Sequence, residues 1–229
     1  MNKYLNKLLS RIYSILTIYK NKNLGHKIKH AEKEKKFELI YRSNFWKSKI
    51  SGSRSGRGSD SDTTNNIREN LSNFLKEKKI TSILDIPCGD FYWMSQMNLE
   101  NIHYHGADIV EEIINVNNKN FKSKNIFFSK LNVKNDNLPY ADFLLCRDCL
   151  VHLDEDEIFL ALKNIKKSKP KFFASTCFLD YSNTTSDLDD NWKPINLTKS
   201  PFNLRSPEFI LDDSNTDQLN KKLFIWKNI

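Results

Sequence analysis

Ile83-Leu84-Asp85-Ile86-Pro87-Cys88-Gly89-Asp90-Phe91 is an apolar run that stops at an acid and a tight turn. Ser82–Ile86 reads as a short buried strand, and Pro-Cys-Gly-Asp as the bend that ends it. A second strand, His103–Ile109, carries Asp108 near its end, 23 positions after Asp85. Outward from this pair the pattern alternates. Helices are expected over 91–98 and over Glu111–Asn120, then strands over Ile126–Leu131 and Ala141–Cys146. Asp154–Lys167 reads as an amphipathic helix with Asp154 as its cap, acids in the first turn and lysines in the last. Lys171–Thr176 is a fifth strand, and Phe209–Leu211 with Lys222–Trp226 closes the chain as an antiparallel pair. Alternation at this spacing predicts an α/β fold with a doubly wound, Rossmann-like mixed sheet of seven strands.

Upstream, Asp62 or Thr63 is expected to cap a helix over 64–79 that buries Ile67, Leu71, Phe74 and Leu75. Ser51-Gly52-Ser53-Arg54-Ser55-Gly56-Arg57-Gly58-Ser59-Asp60 reads as a flexible loop. Residues 4–19 place Leu5, Leu8, Leu9, Ile12, Ile15, Leu16 and Tyr19 on one helical face, with Lys3, Lys7 and Arg11 largely off it. Such a stripe packs on the body of the protein or on a second copy. The other reading is peripheral contact with an anionic membrane. The domain plan is thus a basic helical extension with its Gly/Ser-rich loop over 1–60, and the α/β domain over 61–229.

The net charge of +8 is concentrated before residue 50, and no nucleic-acid recognition module accompanies it, so nucleic acid is not the expected partner. No run reaches the ~20 apolar residues that span a bilayer. Cys88, Cys146, Cys149 and Cys177 form no disulfide framework and lack the paired spacing of a zinc site. Reduced thiols, a cytoplasmic location and no bound metal are expected.

The strand-end acids carry the cofactor argument. In a doubly wound sheet, ligands bind beyond the carboxyl ends of the strands where the order reverses. A carboxylate ending the second strand can accept hydrogen bonds from a ribose diol. A dinucleotide site also needs G-x-G-x-x-G, so that backbone amides reach the pyrophosphate. Here only Gly89 stands in the turn, with Pro87 and Phe91 where glycine is needed. A nucleoside cofactor without phosphate escapes that objection.

On these residues the chain resembles a known family. Leu84-Asp85-Ile86-Pro87-Cys88-Gly89-Asp90 is similar to motif I of class I S-adenosylmethionine (SAM) dependent methyltransferases. It resembles the bacterial and viral subgroup that reads D-x-P-C-G-D there. Cys146-Arg147-Asp148-Cys149-Leu150-Val151-His152-Leu153 resembles the segment after that family's fourth strand. The resemblance implies SAM as cofactor, with Asp85, Pro87, Cys88 and Gly89 toward its methionine part and Asp108 on the ribose. Ile109 would lie against the adenine, and Asn132 and Val133 at its amino group. Arg147 would sit beside the sulfonium. Trp46 and Arg68 would close over the cofactor, Arg68 on its carboxylate.

Asp148 and His152 are the candidates for a general base, although methyl transfer needs one only if the acceptor's proton must leave early. The polar segment 179–206, where this fold builds its acceptor pocket, offers Tyr181, Asn183, Asp187, Asp189, Asp190, Trp192 and Asn196. Aromatic and carboxylate side chains suit a small molecule or a glycan. A nucleic-acid or protein methyltransferase and a non-catalytic scaffold are the alternative readings. A nicotinamide oxidoreductase is disfavoured by the missing glycines.

Overall fold

A computed structural model describes residues 23–28, 31–183, 192–214 and 220–229. The apolar stripe at 4–19 and the acids Asp187, Asp189 and Asp190 lie outside the described residues. The strands are β1 (Ser82–Asp85), β2 (His103–Asp108), β3 (Ile126–Lys130), β4 (Phe143–Cys146), β5 (Phe172–Phe178), β6 (Phe209–Asp212) and β7 (Lys221–Lys227). They form one sheet in the order β3-β2-β1-β4-β5-β7-β6. Only β7 runs against its neighbours. Helices α1 (Lys33–Arg42), α2 (Ser61–Glu77), α3 (Glu111–Phe121) and α4 (Glu155–Ser168) accompany the sheet.

The core has two layers, one on each face. β4 alternates between them: Phe143 and Leu145 face Ile67, Leu71 and Phe74 of α2. Leu144 and Cys146 face Ile158, Ala161 and Ile165 of α4. Every residue of β4 and β5 is buried. Parallel strands covered on both faces read as continuous apolar runs, which is why their sequences do not alternate. Asp154 caps α4 in a reciprocal capping box, its own N–H donating to Glu157 Oε2 at 3.1 Å.

Two expectations fail, each through contacts distant in sequence. The span 91–98 is not a helix but a single 3₁₀ turn at Met94–Gln96. Phe91, Trp93, Met94 and Met97 are all buried, so the segment is turned inward against the core. The cap of α2 is Asp60, not Asp62 or Thr63. The Asp60 carboxylate serves elsewhere, accepting from Ser48 Oγ at 2.8 Å and from Ser51 Oγ. Among the described residues no helix is long and apolar enough to cross a membrane.

Candidate functional site

The strand order reverses between β1 and β4, and a cavity of about 550 Å³ opens beyond their carboxyl ends. Its floor is the turn after β1. Cys88 N–H donates to Ala107 O at 2.8 Å, tying the turn to β2. Gly89 adopts φ +54°, and a Cβ there would stand 2.3 Å from Ser55 Oγ. Glycine is therefore required at this one position, both by the left-handed backbone and by the close approach of a second segment.

Asp108 ends β2 and faces the cavity, with Oδ2 accepting from Gly89 N–H at 3.1 Å and Oδ1 from Val110 N–H at 2.9 Å. Burial pushes its carboxyl up to about 6, against the Val110, Gly89 and Ile109 amides that favour the charged form. Pro87, Cys88, Ile109, Asn132 and Val133 share the same wall. The Asn132 amide oxygen accepts from Lys134 N–H at 3.0 Å, which fixes the side chain in that wall.

Asp85 is not in the wall. It is buried beneath the turn and accepts from Tyr104 Oη at 2.6 Å. Burial pushes it up to about 7, opposed by that hydrogen bond and by the Arg147 charge. Asp85 and Asp108 therefore hold protons more tightly folded than unfolded, where the ordinary value is 3.8. Their contribution to stability is complete below that ordinary value and is lost as pH rises through about 6 and then about 7. For Asp85 the loss is on the order of 4 kcal/mol. In urea unfolding of the ligand-free protein, Asp85→Asn keeps an oxygen for Tyr104 and should flatten the decline between about pH 4 and about pH 7. An unchanged slope in this variant contradicts the placement of a strained acid under the turn.

Arg68 also lies elsewhere. It points from α2 to the 94–96 turn, where Nη1 donates to Gln96 Oε1 at 2.7 Å and Nη2 to Ser61 O at 3.2 Å. One cation that the sequence reading missed is Arg54, which lines the cavity from the Gly/Ser-rich loop. Its guanidinium covers the Tyr41 ring at 3.6 Å and donates to Tyr41 O at 2.9 Å. Its Nε is buried with no hydrogen-bond partner.

Arg54 belongs to the Gly/Ser-rich loop, which is tightly held. The Asp90 carboxylate accepts from Ser53 Oγ at 3.0 Å, Arg54 N–H at 2.6 Å and Ser55 Oγ at 3.0 Å. The signal was present as serines at every second position, 51, 53 and 55, flanking an arginine. Its partner Asp90, in the turn itself, gives no sequence sign of the pairing. Asp90 thus locks the loop over the turn after β1.

Trp46 and His152 meet in the wall with ring centroids 4.9 Å apart, and Phe37 stands edge-on to both at 6.2 Å. Trp192 lines the cavity and packs edge-on against Phe178 at 5.6 Å. Asn183 and Asn196 do not reach the cavity. They brace the chain after β5, Asn196 Nδ2 on Phe178 O at 3.2 Å and Asn183 Nδ2 on Asn196 O at 2.9 Å. Tyr181 packs against the α4-side core.

Beyond β4 lies a buried ionic cluster. Arg147 donates to Asp213 twice, Nε at 2.9 Å and Nη2 at 2.8 Å, and Nη2 also to Gly58 O at 3.0 Å. Lys221 Nζ bridges Asp148 at 2.7 Å and Asp213 at 3.2 Å. Burial alone would lower Arg147, but Asp213 and Asp148 keep it protonated. Burial likewise opposes ionisation of Asp148, yet Lys221 and Arg147 outweigh it and hold the carboxylate well below its usual range. A carboxylate so held is a poor proton acceptor at neutral pH, which argues against the general-base role expected of Asp148. Sequence reading missed Asp213 and Lys221, which reach the site only because the β6–β7 hairpin enters the sheet beside β5.

All four cysteines are free thiols. Among the described residues no group of three or more His, Cys, Asp or Glu is gathered as metal ligands.

No protein-family model matches the sequence, and no curated protein sequence does. Solved structures do match in fold. A SAM-dependent methyltransferase of Leishmania major aligns with TM-score 0.62 at 14% identity, over 87% of this chain and 88% of its own. Magnesium protoporphyrin IX methyltransferase of Synechocystis, solved with SAM, aligns with TM-score 0.58 at 12% identity, over 86% and 97%. Human N-acetylserotonin methyltransferase, also with SAM, aligns with TM-score 0.59 at 14% identity, over 84% and 59%. The sheet order and these likenesses together make the fold of this chain that of the class I SAM-dependent methyltransferases.

Proposed function

We propose that the chain binds SAM and transfers its methyl group to a small molecule or glycan, as an enzyme of the D-x-P-C-G-D subgroup. The observation that carries the reading is Asp108, a buried carboxylate fixed by two backbone amides at the end of β2 and facing the cavity. That is an acceptor preorganised for a ribose diol. The phosphate-free cofactor also suits a turn whose one glycine is already covered by Ser55.

The residues present fit SAM. Asp108 would hold the ribose hydroxyls, and Ile109 and Val133 would flank the adenine. Arg54, which lines the cavity and pairs with Glu112 at 3.3 Å, replaces Arg68 as the guanidinium for the carboxylate. When bound, SAM supplies a methyl group already activated on sulfur. The protein's task is then to align the nucleophile and exclude water, which the Asp90-held loop and the Trp46–His152 stack are placed to do. The aromatic lining and a volume of about 550 Å³ favour a small acceptor over a nucleic-acid strand. Four free thiols suit a reducing compartment, the cytoplasm.

The test is transfer of tritium from methyl-labelled SAM to phenols, amines and sugars, compared with RNA, DNA and denatured protein. Label in a small molecule is the expected result. Label confined to a macromolecule overturns the acceptor class, and SAM binding with no transfer to any of these supports a scaffold instead.

A further inference from the structure

Four charges, Arg147, Asp148, Asp213 and Lys221, meet beyond the carboxyl end of β4, and they differ in exposure. The side chains of Arg147, Asp213 and Lys221 are 4%, 0% and 5% exposed, whereas that of Asp148 is 28% exposed. Both cations are spent on the two carboxylates. Arg147 uses Nε and Nη2 on Asp213 and Nη1 on Asp148 at 3.2 Å, and Lys221 shares Nζ between them. Arg147, Asp148 and Lys221 all line the cavity, and the most exposed group among them is the Asp148 carboxylate.

That carboxylate is held in place from several sides. Asp148 sits at φ +53°, in the left-handed region, with its N–H on Thr176 Oγ1 at 2.9 Å. Thr176 Oγ1 returns to Asp148 Oδ1 at 3.2 Å, and a Cβ on Gly58 would stand 3.1 Å from Oδ2. A non-glycine residue in this conformation is disfavoured and persists where surrounding contacts impose it, commonly at functional sites.

The geometry points to Asp148 as the acceptor-binding group: it receives a hydrogen bond from the O–H or N–H of a neutral hydroxyl or amine acceptor beside the transferred methyl. This deepens the proposed methyl transfer and rests on it. The nucleophile's lone pair forms the new bond to the methyl carbon, the electron pair of the broken carbon–sulfur bond returns to sulfur, and the acceptor's proton passes to water. A carboxylic acid acceptor would instead place a second anion against Asp148, whose neighbouring cations Arg147 and Lys221 are already paired.

Sinefungin tests this without knowledge of the acceptor. It carries an ammonium where SAM carries the methylsulfonium, whereas S-adenosylhomocysteine (SAH) carries a neutral sulfur. By calorimetry the wild type is expected to bind sinefungin about 10-fold or more tighter than SAH, the scale of a charge-assisted hydrogen bond. Asp148→Asn should bring the two within about threefold, with SAH affinity itself little changed. Asp148→Asn combined with Lys221→Met removes one charge of each sign and should give the same collapse if the single variant folds poorly. SAH binding with no sinefungin preference in the wild type, or a preference that survives both variants, overturns the assignment. Failure of the wild type to bind SAH overturns the methyl-transfer reading itself, and this one with it.

Discussion

Asp108→Ala is expected to weaken SAH binding by about 100-fold or more, since a buried charged acceptor is worth roughly 1.5–3 kcal/mol for each hydrogen bond it takes. Two hydroxyls of a ribose would lose their partner at once. Stability should move much less. The variant leaves the Gly89 and Val110 amides without the carboxylate, but it also removes an acid that burial has pushed up to about 6. These terms oppose one another, so thermal unfolding without ligand should shift by a few degrees while the SAH-induced shift disappears. SAH affinity within threefold of wild type would show that Asp108 is only a turn acid.

The largest effect on stability is expected from Asp213→Ala. Asp213 is fully buried and takes two hydrogen bonds from Arg147 and an ion pair from Lys221. Its loss strands two cations that are themselves buried, and breaking such a pair costs about 3–5 kcal/mol. The consequence extends to the site, because Arg147 also anchors Gly58 of the loop that closes over the turn. Asp213→Leu combined with Arg147→Met should recover part of the loss by replacing the pair with apolar volume. A cost below about 1 kcal/mol in urea unfolding would mean that water reaches the cluster. The fixed geometry assigned to Asp148 would then have no support.

The parts of this molecule legible in its sequence are those governed by neighbours in the chain. β4 and β5 announced themselves as apolar runs because both of their faces are covered. The Asp154 cap was visible because its partner, Glu157, stands three residues away. Asp108 was visible because strand and turn chemistry together fix where a β2 carboxylate must point.

The failures share the opposite cause. Whether Asp85 faces the cavity depends on Tyr104 beneath it, on the neighbouring strand. The Gly/Ser-rich loop looked flexible because the residue that orders it, Asp90, is 35 positions from Ser55. Arg54 and Arg68 could not be told apart by type, since only the course of that loop decides which guanidinium reaches the cavity. Asp213 joins Arg147 across 66 positions, a pairing that no local pattern records.

The central claim is that the hollow beyond β1 and β2 is a SAM site. Titration calorimetry of the intact chain with SAH, and separately with NADH, tests it most directly. The account predicts one SAH per chain with micromolar affinity or tighter, of order −8 kcal/mol, and no heat from NADH. Silence with millimolar SAH, or binding of NADH in its place, would contradict it.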